Sequence, residues 1–451
     1  MHGLRRAAAA AALPLIAAGA IGARAFDAAT SQRLAAAALD GRSFEYVQEL
    51  TDRIGARLTG SDAYQRATEW AVGRFRNAGV SGVKLESFAM PRAWSRGGEA
   101  VAHIVSPVEQ RLAVAALGWT PPTDGEVEGD ITVVSDRSPS AEQVAGRIVL
   151  VAGDVSPAVE ARLESAGALA LLFADPDRNN QLTARVRRFG GDISPLPAAS
   201  IARDDAAAIR RLAASGAVRV RLTLPAGMSN GPALVNNVIA EIPGRDRSDE
   251  WILVGAHLDS WDAATGAQDN ATGVAMVLDA ARAIAALGHA PRRTIRFALW
   301  GGEEQGLLGS AAYVRAHEAE LDHAVAVLNA DGGTGRILGW TAPGREDVEV
   351  HVRDLARSLL AGLNASAVDH SMQYAFDSDG GPFLRQGVPV LDLNVDDRDY
   401  DEIHHKATDA IDRVDRRNLA IGTAAVAVTA YAIADAPSRL FHRGPRRELE
   451  P

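Results

Sequence analysis

From Asn237 onward, apolar runs of strand length alternate with helical patterns of about twelve residues or more. A parallel strand pair needs a crossover of that length, so the alternation points to a predominantly parallel sheet covered by helices. The residues that end each run carry the chemistry. Residues 251–256 read as a buried strand running into His257-Leu258-Asp259, and residues 294–300 as a second running into Gly301-Gly302-Glu303-Glu304. Residues 324–328 read as a third, followed by Asn329-Ala330-Asp331-Gly332-Gly333. Open α/β sheets bind ligands outside the carboxyl ends of their strands. Three successive strands therefore deliver His, Glu and Asp to one edge.

Two further features join them. Asp269 sits in a Gly-containing loop just before a helical pattern over 272–287, and His404-His405 lies in an acidic loop after a strand over 388–393. The chain has no cysteine, so a metal must be held by His and carboxylates, which are among the ligand types zinc prefers. Taken singly, each residue has a plain reading: Asp269 as a helix cap, Glu303-Glu304 as a solvated strand end, His257 as a hydrogen-bonded loop residue, Asp331 as turn chemistry. Their coincidence at one sheet edge carries the weight.

The rest of the chain supplies context. Arg5-Arg6, an apolar run over 7–22 and Ala23-Arg24-Ala25 predict a cleaved signal peptide over 1–25, with a membrane anchor as the other reading. The protein is then exported, to the periplasm or the extracellular space, with no stable membrane span in its mature form. Residues 30–78 read as helices, with Ser61 or Asp62 as a cap, and composition shifts near Pro121-Pro122. Short β runs at 131–134, 148–151 and 168–173 predict a small inserted α/β domain over 121–225. It interrupts a larger domain split into 26–120 and 231–437, with a tail at 438–451. A formal net charge of −10, without a Lys/Arg block, argues against nucleic acid as a partner.

The ordered motifs resemble the co-catalytic zinc exopeptidases. They are His257-Leu258-Asp259-Ser260-Trp261-Asp262, Gly266-Ala267-Gln268-Asp269-Asn270, Trp300-Gly301-Gly302-Glu303-Glu304-Gln305-Gly306 and Asn329-Ala330-Asp331-Gly332-Gly333, with Asp52-Arg53-Ile54-Gly55-Ala56-Arg57-Leu58-Thr59-Gly60-Ser61 upstream. The resemblance implies two zinc ions bridged by Asp269, one completed by His257 and Asp331, the other by Glu304 and His405. It implies Glu303 as general base, Asp259 orienting His257, a supporting place for Asp379, and a cis peptide bond after Asp269. His404 is the alternative to His405, which has the family spacing of four residues to Asp409. Gly380 departs from the His that many relatives carry. The inserted region resembles a protease-associated domain. The implied substrates are peptides or dipeptides with a free N-terminus, and a homodimer is left open. Two other readings remain at this point: a noncatalytic receptor or scaffold ectodomain, and a single-zinc glutaminyl cyclase.

Overall fold

The computed structural model describes residues 27–134, 140–153 and 155–447. The signal segment over 1–25 lies outside the described residues, as does the end of the tail beyond 447. The main sheet has eight strands. They are β1 (Ser81–Met90), β2 (Ala233–Ile242), β3 (Arg247–His257), β4 (Arg293–Trp300), β5 (Ala324–Asn329), β6 (Ile337–Thr341), β7 (Ala367–Asp369) and β8 (Val390–Val395). Their spatial order is β1-β2-β4-β3-β5-β8-β6-β7. The central β4, β3, β5 and β8 are parallel neighbours, while β1 and β2 add antiparallel pairs on one side and β6 pairs antiparallel with β8. The sheet is mixed, with a parallel centre.

Pleating explains how this sheet becomes the core. Successive strand residues point to opposite faces, so the apolar runs feed two clusters. Ile252, Val254, Ala256, Phe297 and Leu299 pack on one side with Phe75, Val274 and Leu419, which come from helices Asp62–Asn77, Thr272–Ala285 and Arg416–Asp435. Trp251, Leu253, Ala298 and Trp300 pack on the other with Tyr313 and Phe383, from helices Leu308–Ala316 and Gly380–Arg385. The Trp300 ring meets those of Tyr313 and Phe383 at centroid distances of 5.3 Å and 6.0 Å.

Helix Arg416–Asp435 corrects the expectation that nothing past the signal segment approaches a membrane span. With a mean hydropathy of 1.3 it is long and apolar enough to cross one by length and composition. Its apolarity has another cause: 78% of that window is buried inside the fold, as in a core helix.

A second sheet of eight strands lies between β1 and β2 in the chain. Its centre, Val127–Val134, Ile148–Val151, Ala170–Ala174 and Ala198–Ile201, is parallel. Strands Val101–Ser106, Gln110–Leu112 and Val114–Ala116 also belong to it, so the sheet begins upstream of the composition shift at Pro121-Pro122. The chain returns to the main sheet through Arg219–Thr223, and Gly227–Met228 pairs with Trp94–Ser95 on the way.

Candidate metal centre

The parallel register brings the strand ends level. His257 at the end of β3 stands opposite Trp300 at the end of β4, and Gly255 stands opposite Asn329 at the end of β5. β4 stops at Trp300, so Glu303 and Glu304 sit in a turn beyond the strand. Gly302 there has φ +73° and Leu307 φ +62°. Asp269 is no helix cap, because helix Thr272–Ala285 begins three residues later with Ala271 in the cap position. Gly266, at φ +62°, lets the loop before Asp269 pass against Ser260, where a Cβ would stand 2.3 Å from the Ser260 Cβ. The Asp269–Asn270 peptide bond is cis.

Asp269 is the hub of the site. Its Oδ1 lies 3.0 Å from His257 Nε2, and its Oδ2 lies 3.5 Å from His405 Nε2 and 3.9 Å from His404 Nε2. His257 Nε2 also lies 3.3 Å from Asp331 Oδ1, and His405 Nε2 lies 2.9 Å from Glu304 Oε2. Donor atoms of His257, Asp269 and Asp331 fall within 4.8 Å of one another, as do those of Asp269, His404 and His405. His404 is nearly twice as exposed as His405, at 44% against 23% of its side chain. Glu304 is buried, and apart from the close His405 imidazole its carboxylate oxygens meet no hydrogen-bond partner. A carboxylate is costly to bury in that state unless a cation completes it. The site therefore fits a metal, and its donor chemistry fits zinc.

The ionisation pattern points the same way. Burial pushes Glu304 well above the usual carboxylate range, with Asp269 adding repulsion, and burial does the same to Glu303. For His257 burial works against protonation, yet the Asp331 charge and hydrogen bonds to Asp259, Asp269 and Asp331 outweigh it and raise its pKa well above the usual value. Burial opposes ionisation of Asp269 too, but the facing imidazoles hold it low. Crowded acids thus hold a proton on His257 where a cation would stand in for it.

Around these donors lies a supporting set. Asp259 Oδ1 is 3.7 Å from His257 Nδ1, and its carboxylate accepts from the Glu303 and Glu304 N–H groups at 3.3 Å and 3.4 Å and from the Thr59 hydroxyl at 2.7 Å. One buried carboxylate so ties β3, the Glu turn and the Thr59 loop together. Asp379 is buried as well, and burial, with repulsion from Asp259 and Asp331, pushes it up to about 8. The residue that touches a donor there is its neighbour Ser378, whose hydroxyl donates to Asp331 Oδ2 at 2.5 Å.

Sequence reasoning gave no role to several residues that shape the site. Asp409 accepts from the Gln268 and Asp269 N–H groups at 2.7 Å and 3.2 Å, and burial pushes it up to about 7. Asn270 donates to the Ala330 carbonyl at 2.9 Å and accepts from Gly273 N–H, which fastens the Asp269 loop to the end of β5. Arg57 is fully buried, and its guanidinium donates to the carbonyls of Gly55, Leu258, Thr265 and Gly266. Arg57 and Asp409 fall inside quoted motifs or spacings, but their partners lie far off in sequence.

Comparisons with known proteins give the family and the fold. Residues 237–430 match the model of peptidase family M28. Bovine (Bos taurus) carboxypeptidase Q is 31% identical over 415 residues, covering 87% of this chain and 85% of that protein. The solved structure of a peptidase M28 precursor from Shewanella amazonensis SB2B is 29% identical with a TM-score of 0.79, covering 92% of this chain and 98% of that one. A zinc aminopeptidase from Bacillus subtilis, at 21% identity and a TM-score of 0.67 over 88% of this chain and 98% of its own, shares the fold. The chain belongs to peptidase family M28. Its class is that of the metallo-exopeptidases, hydrolases of peptides.

Proposed function

We propose that this protein is an exported, zinc-dependent exopeptidase that removes N-terminal residues from peptides or dipeptides at a dinuclear site. The observation that carries the reading is the two-sided use of Asp269, whose Oδ1 faces His257 and whose Oδ2 faces His405. His257 and Asp331 would hold one zinc, Glu304 and His405 the other, and Asp269 both. Zinc, when bound, supplies a Lewis acid that lowers the pKa of a water and polarises the scissile carbonyl.

The chain's own groups do the rest. Glu303 is the more exposed of the adjacent acids, which suits a base that takes a proton from water and returns it to the leaving amine. Burial raises its pKa above that of a free carboxylate, which makes it the stronger proton acceptor. The Asp259 carbonyl, 3.1 Å from His257 Nδ1, holds the imidazole in orientation with the Asp259 carboxylate beside it at 3.7 Å, leaving Nε2 for the metal. The pattern over residues 5–25 supports export to the periplasm or outside the cell.

Elemental analysis of the purified chain tests the metal count. About two zinc ions per chain are expected, with activity lost to a chelator and restored by zinc. A content near zero together with chelator-resistant activity would end the dinuclear reading.

A further inference from the structure

The loop that carries His405 is fastened from an unexpected quarter. His405 has φ +58°, a left-handed conformation that a non-glycine residue keeps only where its surroundings hold it. The second sheet supplies part of that hold. Between its strands Ala170–Ala174 and Ala198–Ile201 the chain makes a long excursion, over 175–197, onto the loops of the metal centre. There Ala184 N–H donates to the His405 carbonyl at 2.8 Å, and Gly190 N–H donates to the Gln305 carbonyl at 2.8 Å, one residue beyond Glu304. The side chain after His405 is pinned as well: Lys406 Nζ lies 2.6 Å from Asp177 Oδ1 and donates to the Asp401 carbonyl. Both side chains of the Lys406–Asp177 pair are only 7% exposed.

The excursion is itself anchored at both ends. Asp175, buried, accepts from the Asp177 and Thr183 N–H groups at 3.1 Å and 2.7 Å and from the Thr183 hydroxyl at 3.0 Å. Glu160, also buried, takes Arg188 at 3.0 Å and 2.9 Å and the Ser194 hydroxyl. An anchored segment can hold a neighbouring loop in place. A floppy one could not.

We infer that Asp177 and Lys406 form a latch between the second sheet and the main domain that positions His405 toward the metal. Neither touches substrate or reacting atoms, so both are positioning residues. The inference rests on His405 being a zinc ligand. Losing the latch frees the backbone of a residue in a sparsely populated conformation, and its imidazole can then turn away from Asp269 and Glu304. Groups that hydrogen-bond a metal ligand directly are typically worth about 10- to 100-fold in metal affinity, and a latch acting through the backbone falls at the low end of that range.

The test is zinc affinity, measured by competition with a chromophoric chelator on the purified full chain, for the parent, Asp177→Asn, Lys406→Met, the double variant and His405→Ala. The expected result is about a 10-fold loss of affinity at one of the zinc sites for each latch variant. The double variant should be no worse than the worse single one, because the pair acts as a unit. Turnover should fall through kcat, with KM nearly unchanged. Zinc affinity within twofold of the parent, or single effects that add, would overturn the latch. So would a lowered melting temperature of the metal-free protein with zinc affinity intact, since the pair would then be merely structural. If Lys406→Met does not fold, Asp177→Asn decides, with rescue expected from Asp177→Glu. His405→Ala separates the two levels: zinc loss there with intact latch variants overturns the latch alone, and full zinc binding there overturns the ligand reading and the latch with it.

Discussion

Replacing Glu303 by Gln is expected to lower kcat by at least about 10²-fold while the zinc content stays at that of the parent enzyme. Glutamine keeps the shape of the side chain but cannot accept the proton of an attacking water. Glu303 lies beside the metal donors without being among them, since the close pairs run through Asp269, His257, Asp331, Glu304 and His405. Glu304→Gln should behave differently. Its carboxylate is enclosed, with the His405 imidazole at 2.9 Å and no hydrogen bond formed, which suits it to meet a cation, and the amide should cost zinc as well as activity. Elemental analysis beside steady-state kinetics reads both quantities. Identical behaviour of the two variants, or effects exchanged between them, would show that base and ligand have been assigned the wrong way round.

That division of labour could be read from sequence only as far as the strands could. The runs ending at His257, Trp300 and Asn329 are near-continuous apolar segments buried on both faces, and parallel pairing sets their ends side by side whatever else the chain does. Hence His257, Glu303, Glu304 and Asp331 were legible as a group, and Asp269 joined them through its loop. The support was not legible. Asp409 grips the Asp269 loop from 140 residues away in sequence, and Ser378 reaches Asp331 across 47. Neither is marked by periodicity or local turn chemistry. Three parallel strands of the second sheet were caught, but the fourth, Ala198–Ile201, was not, and Val101–Ser106 and Val114–Ala116 join the sheet through antiparallel partners at Arg219–Thr223 and Ala198–Ile201. Such pairings are fixed by tertiary packing, which composition near Pro121 does not report. Helix Arg416–Asp435 shows the converse, a membrane-like composition produced by burial against the sheet.

N-acetylation of a peptide substrate is expected to lower kcat/KM by at least about 10²-fold relative to the same peptide with a free amine. The reason is charge. Asp259, Asp269, Glu303, Glu304 and Asp331 crowd one edge of the sheet, and when ionised they carry more negative charge than the two proposed zinc ions would cancel. Asp379 and Asp409 stand close by, already pushed up to about 8 and about 7 by burial and by their acidic neighbours. Surplus negative potential in a partly desolvated cleft favours a cation, because screening there is weak. The ammonium of a peptide N-terminus supplies one at a fixed distance from the first peptide bond, which would also set the register of cleavage. Acetylation leaves that bond and every side chain in place and removes only the charge. The comparison therefore separates recognition of the amine from recognition of the side chain, with both peptides assayed at the same ionic strength. Comparable rates for the two peptides, or cleavage at internal bonds, would remove the amine as the anchor and move the reading to an endopeptidase or a carboxypeptidase.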